Sequence, residues 1–138
     1  MKAASILILC AALFAATPLA ARADDASDIQ ATIRAQLQAF NAGDGATAYS
    51  YAAPNIKALF PSPDIFMTMV KSGYAPVYHS HNAVFGALTP EGDGFRQEVR
   101  LTGDQGHSWI ASYTLARQSD GSMKITSCTL RKGDDVAV

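Results

Sequence analysis

At Gly73 the spacing of apolar residues changes from helical to alternating, and no other feature of this 138-residue chain limits its fold as tightly. Before that point, Ile29, Ile33, Leu37 and Phe40 recur at intervals of four, four and three. That spacing lays one apolar stripe along a helix over 27–44, "SDIQATIRAQLQAFNAGD". Ser27 and Gln30 fit a capping box at its start, and Gly43 sits where a left-handed cap is wanted. Asp44 can cap a second, shorter helix, "GATAYSYAA". Pro54 interrupts it and can open another turn, "PNIKALF". In "SPDIFMTMVKSG", Ser62 is a cap candidate, Pro63 a first-turn residue and Gly73 the stop. Ile65, Phe66, Met69 and Val70 share one side of that helix.

After Gly73 the period becomes two, the signature of half-buried strands. "GFRQEVRLTG" sets Phe95, Gln97, Val99 and Leu101 against Arg96, Glu98, Arg100 and Thr102. "GHSWIASYTLAR" sets Trp109, Ala111, Tyr113 and Leu115 against Ser108, Ile110, Ser112 and Thr114. "SMKITSCTL" starts with Met123 and Ile125 on one face. Cys128 and Leu130 can rejoin that face only through a bulge near Ser127. "EGDG", "GDQG" and "SDGS" are the turns. Tyr74 to Leu88 is less regular and is expected to hold one or two further strands. Helices followed by an antiparallel meander make an α+β fold, N-terminal helices packed on a curved antiparallel sheet.

The first residues point to export. Lys2 precedes an apolar run, "ILILCAALFAA", too short to span a bilayer, which takes about 20 apolar residues. Ala21-Arg22-Ala23 fits a small-x-small cleavage site. The expectation is a signal peptide over 1–23, cleavage between Ala23 and Asp24, and a single domain over 24–138, soluble in the periplasm or secreted. Cys10 lies inside the apolar run behind Leu9, which argues against a lipid anchor. Without Lys2 and Arg22 the chain keeps nine basic and twelve acidic residues, a net charge of −3. No basic stripe is present, so nucleic acid is not an expected partner. One cysteine, Cys128, remains, so the core must hold without internal disulfides. Its strand-like setting favours a small buried hydrophobe over a reactive thiol.

"QLQAFNAGDGATAYSYAAPNIKALF", "MVKSGYAPVY", "RQEV", "SYTL" and "DGSMKI" together resemble a family of short, often exported bacterial proteins, domain-of-unknown-function family 4864. The resemblance covers Ile29 to Leu130. That family in turn resembles the nuclear-transport-factor-two-like (cystatin-like cone) superfamily, in which a curved sheet wraps a cone of helices. The resemblance implies a fold and no one activity, because that superfamily houses isomerases, cyclases, dehydratases, adaptors and association domains. Its enzymes work in the pocket of the cone with positioned Asp, Tyr or His. The chain departs from the family at Met123, where tryptophan is common, and at His79, where arginine is.

The chemical leads are few. In "VYHSHNAVFG", His79 and His81 would share a face if they lay on a strand. A catalytic zinc wants three protein ligands, and no HExxH, cysteine pair or carboxylate at a matching spacing accompanies them. The reading adopted is two histidines on a partly exposed edge, with no metal and no cofactor. Glu98 lies between Arg96 and Arg100 on one strand face, which suits an ion pair on an outer sheet surface. Asp44 and Asp64 fit caps; Asp93, Asp104 and Asp120 fit turns. Gln97, Trp109 and Tyr113 share the inner face and carry polar handles. They are candidates to line a ligand pocket, with Tyr49, Phe66, Tyr74 and Tyr78 closing it, though simple helix–sheet packing explains those four as well. A satisfied polar network in an ordinary core explains Gln97 equally well. No catalytic residue is assigned. The function expected is a non-catalytic module binding a small molecule or a periplasmic protein, with a homodimer left open. The alternative is an isomerase, dehydratase or cyclase using a tyrosine or histidine in the pocket.

Overall fold

The computed structural model describes residues 23–133. The signal peptide expected over 1–23 lies outside them, apart from Ala23. Helices α1 (Ala23–Asn41), α2 (Gly45–Ser50), α3 (Pro54–Leu59), α4 (Pro63–Gly73) and α5 (Ala75–Tyr78) precede strands β1 (His81–Glu91), β2 (Gly94–Thr102), β3 (Ser108–Arg117) and β4 (Met123–Lys132). The strands form one antiparallel sheet in the order β1-β2-β3-β4. The fold is therefore α+β, with helices first and the meander after.

Local chemistry sets most helix ends. The Asp44 carboxylate accepts from Thr47 N at 3.1 Å and from Thr47 Oγ1 at 2.6 Å, capping α2. Ser62 Oγ accepts from Ile65 N at 3.2 Å at the start of α4. Gly43 adopts φ +67°, the left-handed conformation that ends α1 at low steric cost. Ser27 does not cap α1. The chain is already helical at Ala23, and Asp25 and Asp28 both reach the Arg117 guanidinium, at 2.7 and 3.0 Å. That link to the end of β3 holds the start of the helix against the sheet.

The stretch from Tyr74 to Leu88 departs most from expectation. It contributes the short helix α5 before β1, with Pro76 in its first turn. His79 caps the end of α5, and His81 opens β1, so the two histidines do not share a strand. β1 then carries two register shifts against β2, one between His81 and Val84 and one between Phe85 and Leu88. Each inserts one extra residue, and the resulting loss of alternation is why this strand is hard to read in sequence.

β2 and β3 pair without a shift, so Phe95, Gln97, Val99 and Leu101 share a face with Ala111, Tyr113 and Leu115. β4 has the expected bulge. Thr114 pairs with Ser127 and Leu115 with Ile125, which leaves Thr126 as the inserted residue. Cys128 and Leu130 thereby return to the inner face, opposite Tyr113 and Ala111. Ile29, Ile33, Leu37 and Phe40 from α1 and Phe66 and Val70 from α4 meet that face in one core. Each such side chain taken from water contributes about 1.5–3 kcal/mol. Glu98 is on the outer face as expected, but its partner is Arg131 of β4, at 2.9 Å. Arg96 instead pairs with Glu91 across the β1–β2 hairpin, at 2.6 Å.

Candidate functional site

The chain between α2 and α3 runs along the bulged part of β4. Ala53 N donates to Ile125 O at 2.8 Å, and Ile125 N donates to Tyr51 O at 2.9 Å. Asn55 Nδ2 donates to Thr126 O at 2.9 Å, fixing the first turn of α3 beside the bulge. These bonds hold α3 off the sheet at the spacing the bulge dictates. A cavity of about 300 Å³ lies between α3, α4 and the β3–β4 pair.

Its walls come from six elements and two connecting residues, Phe60 and Tyr74. α1 supplies Gln36 and Phe40, α3 supplies Ile56 and Leu59, and α4 supplies Phe66, Met69 and Val70. β3 supplies Tyr113, and β4 supplies Ile125 to Cys128. Asn55 of α3, Phe60, Tyr74 and, from α5, Val77 complete the lining. No Lys, Arg, His, Asp or Glu is among these residues. Leu59 stands at the rim, 73 % exposed.

Most buried polar groups at this cavity are already engaged, and one is not. Gln36 Nε2 donates to Ala48 O at 3.1 Å. Thr126 Oγ1 and Ser127 Oγ both bond the Thr114 hydroxyl. The Tyr113 hydroxyl is buried and has no hydrogen-bond partner among the described residues. Burial pushes its pKa well above the ordinary phenol value, with the charge and a weak hydrogen-bonding contact of the adjacent Cys128 thiol as smaller contributors; that contact falls short of a well-formed hydrogen bond. Burial also pushes the Cys128 thiol up to about 12. Both groups are neutral at physiological pH, and a neutral phenol donates a hydrogen bond. An unpaired buried hydroxyl is unfavourable by roughly 1–3 kcal/mol.

Of the seven residues proposed from sequence, Tyr113, Phe66 and Tyr74 line the cavity. The other four do not. Tyr49 packs behind Phe66, ring centroids 5.4 Å apart, and its hydroxyl donates to Phe60 O at 2.6 Å. Tyr78 leans on Phe40 at 6.3 Å and on the His79 ring at 4.5 Å. Gln97 is 1 % exposed, and its amide donates to Gly86 O at 3.1 Å, Ala87 O at 3.4 Å and Glu98 O at 2.8 Å. Two of those carbonyls belong to the second β1 bulge, so Gln97 serves the sheet. Trp109 shares the face of Tyr113 but lies at the other end of β3, half-buried beside Gly103. Among the residues that sequence reasoning missed are Ile56 and Leu59 of α3 and Thr126 to Cys128 of the β4 bulge. The signal for these was present only indirectly, in the short helix after Pro54 and the broken period at Ser127.

The histidines form a separate surface cluster. His79 Nδ1 and His81 Nε2 each lie 3.3 Å from a different oxygen of Asp104, in the β2–β3 turn. The hydrogen bonds from His81 and then His79 hold the Asp104 carboxyl below its usual range. All three side chains are more than half exposed. Among the described residues, no group of three His, Cys, Asp or Glu side chains is arranged to hold a metal ion. No described helix is long and apolar enough to cross a membrane.

No curated protein and no solved structure matches the chain. A family model does match, over residues 22–138, which spans every helix and strand described above. The chain belongs to the family described as Domain of unknown function (DUF4864).

Proposed function

We propose that the protein is a non-catalytic binding module that takes a small, partly apolar ligand in the cavity between α3, α4 and β3–β4. One observation carries this reading: the Tyr113 hydroxyl is buried without a partner at a cavity lined by apolar and uncharged side chains. Buried hydroxyls are ordinarily paired, and an exception calls for an explanation such as a ligand group. A cavity of about 300 Å³ is at the lower end of the range for small-molecule sites. The expected likeness to the cone-shaped superfamily belongs to the same reading, supported by helices gathered on one face of an antiparallel sheet. So does export, with cleavage at Ala23/Asp24, supported by the apolar leader and its small-x-small end.

The enzymatic alternative has less support. It needs an acid–base group tuned near the working pH and within reach of a substrate. The titratable residues on the cavity are Tyr113, Tyr74 and Cys128. Tyr113 and Cys128 are shifted away from neutrality, and the histidines lie outside the lining.

The test is untargeted mass spectrometry of small molecules that accompany the protein from its host. The control is Ile56→Trp, which fills the cavity from the half-buried face of α3. A species enriched with the native chain and lost in the folded variant is the expected result. If no species separates the two, the binding reading fails.

A further inference from the structure

This inference rests on the binding reading of the same cavity and names the class of ligand. We propose that the cavity takes a neutral molecule with an apolar body and one hydrogen-bond acceptor, a carbonyl or ether-type oxygen, which accepts from the Tyr113 hydroxyl.

The argument begins with what the lining lacks. A carboxylate or phosphate brought into this site would shed its water with no cation to meet it. Transfer of an unpaired charge into an apolar setting is far costlier than transfer of a neutral polar group. The lysines on the two neighbouring helices lie outside the lining, against ring faces. Lys57 Nζ is 5.1 Å from the Tyr49 ring centroid, and Lys71 Nζ is 5.5 Å from that of Tyr78. A cationic ligand is equally disfavoured, because no carboxylate lines the cavity.

The second part concerns which polar atom is left to select the ligand. The amides of Gln36 and Asn55 donate to Ala48 O and Thr126 O. The Thr126 and Ser127 hydroxyls are tied to Thr114. Among the buried side-chain nitrogens and oxygens of the described residues, that leaves the Tyr113 hydroxyl as the one without a partner for a ligand to satisfy. It stays protonated, so it offers a donor, and the complementary ligand atom is an acceptor. The hydroxyl is covered in the free protein, so the ligand reaches it by displacing a side chain.

The test uses three probes with the same bicyclic body: 2-acetylnaphthalene, 2-naphthoate and 2-isopropylnaphthalene. Dissociation constants come from equilibrium dialysis with the mature chain. The expected order is ketone, then hydrocarbon, then carboxylate, with the ketone about fivefold tighter than the hydrocarbon from one neutral hydrogen bond. Tyr113→Phe should bring ketone and hydrocarbon to equal affinity, while Trp109→Phe should leave the order unchanged. Tyr113→Phe removes only the contact of the hydroxyl with the Cys128 thiol, so its fold is expected to persist, checked by circular dichroism. Tightest binding of the carboxylate, or a ketone preference that survives Tyr113→Phe, overturns the ligand class and leaves the cavity as a binding site. Failure of all three probes to bind overturns the binding reading as well.

Discussion

Tyr113 and Cys128 face each other across the β3–β4 ladder, and the bulge at Thr126 is what brings them together. Without the inserted residue, Cys128 would point to the outer face, and the cavity would lose one wall. The pair makes the inner end of the cavity neutral. The thiol, held up to about 12, should therefore be slow to react in the folded chain. At neutral pH it carries roughly a thousandfold less thiolate than an unfolded cysteine, so alkylation should accelerate by about that factor on denaturation. Stopped labelling with iodoacetamide, read by mass, measures both rates. Equal rates would show that Cys128 is not held in this environment.

The same pair predicts a loss of stability in alkali. An unfolded cysteine ionises near 9.0, whereas the folded thiol holds its proton to about 12. Between those values the unfolded chain binds fewer protons, so stability falls as pH rises through the window. The slope from Cys128 is at most about 1.4 kcal/mol per pH unit. Tyr113, raised well above 10.0, steepens it further up the range. Urea unfolding from pH 8 to 11 should show a shallower decline for Cys128→Ala than for the native chain. Parallel declines would refute this account.

Gln97 should matter to folding and not to binding. Its amide donates to the carbonyls of Gly86 and Ala87, where β1 bulges away from its ladder. Gln97→Leu leaves those acceptors without this donor and should destabilise by about 1–2 kcal/mol. Probe affinities at the cavity should stay within a factor of two, a margin set by the usual small coupling of separate sites. A stable variant with weakened binding would place Gln97 in the site after all.

Asp104 bridges the end of α5 and the start of β1 to the β2–β3 turn. Its carboxyl is held below the usual value by His81 and His79. A depressed folded pKa contributes stability that is present above the unfolded value of 3.8 and is lost as pH falls through the lower, folded one. Asp104→Asn should flatten the acid limb of the stability profile below about pH 4, a window that follows from the ordinary Asp value. The group is exposed, so the change should be small and should shrink further in salt. Denaturant titrations from pH 5 to 2 at two salt concentrations measure it. An acid limb identical to that of the native chain would show that the bridge is not populated in solution.

Gly94 should tolerate no side chain. A Cβ there would run into the backbone carbonyl of Leu115, with the Ala116 Cα 3.4 Å away. Neither is the end of a flexible side chain, so the β2–β3 ladder itself would have to shift. Gly94→Ala should be destabilising by about 2–4 kcal/mol, the range for a named backbone clash. Gly73→Ala, which meets nothing within 4 Å, is the control. A native melting temperature for Gly94→Ala would show that the β2–β3 pairing is looser than described.

The sequence by itself determined most elements of this protein, α5 and the bulged β1 excepted. The stripe of Ile29, Ile33, Leu37 and Phe40 requires a helix, and the alternation around Val99 and Tyr113 requires strands, because side-chain direction follows from backbone period alone. The bulge near Ser127 was legible for the same reason: Ile125 and Cys128 cannot share a face without one. Which of those inward residues meet at a cavity was decided only by the tertiary structure. Trp109 and Tyr113 lie on one face, four residues apart on β3. Four residues of strand extend about 13 Å, so one reaches α3 and α4 while the other does not. Gln97 shares that face too, but its amide turns to the β1 bulge, whose place depends on the β1–β2 register. Asp104 reaches His79 and His81 across 25 and 23 residues of chain, a distance over which spacing carries no signal. Period gives direction for each residue separately. Position depends on where the sheet and the helices settle against each other, and that balance is a property of the whole packed core.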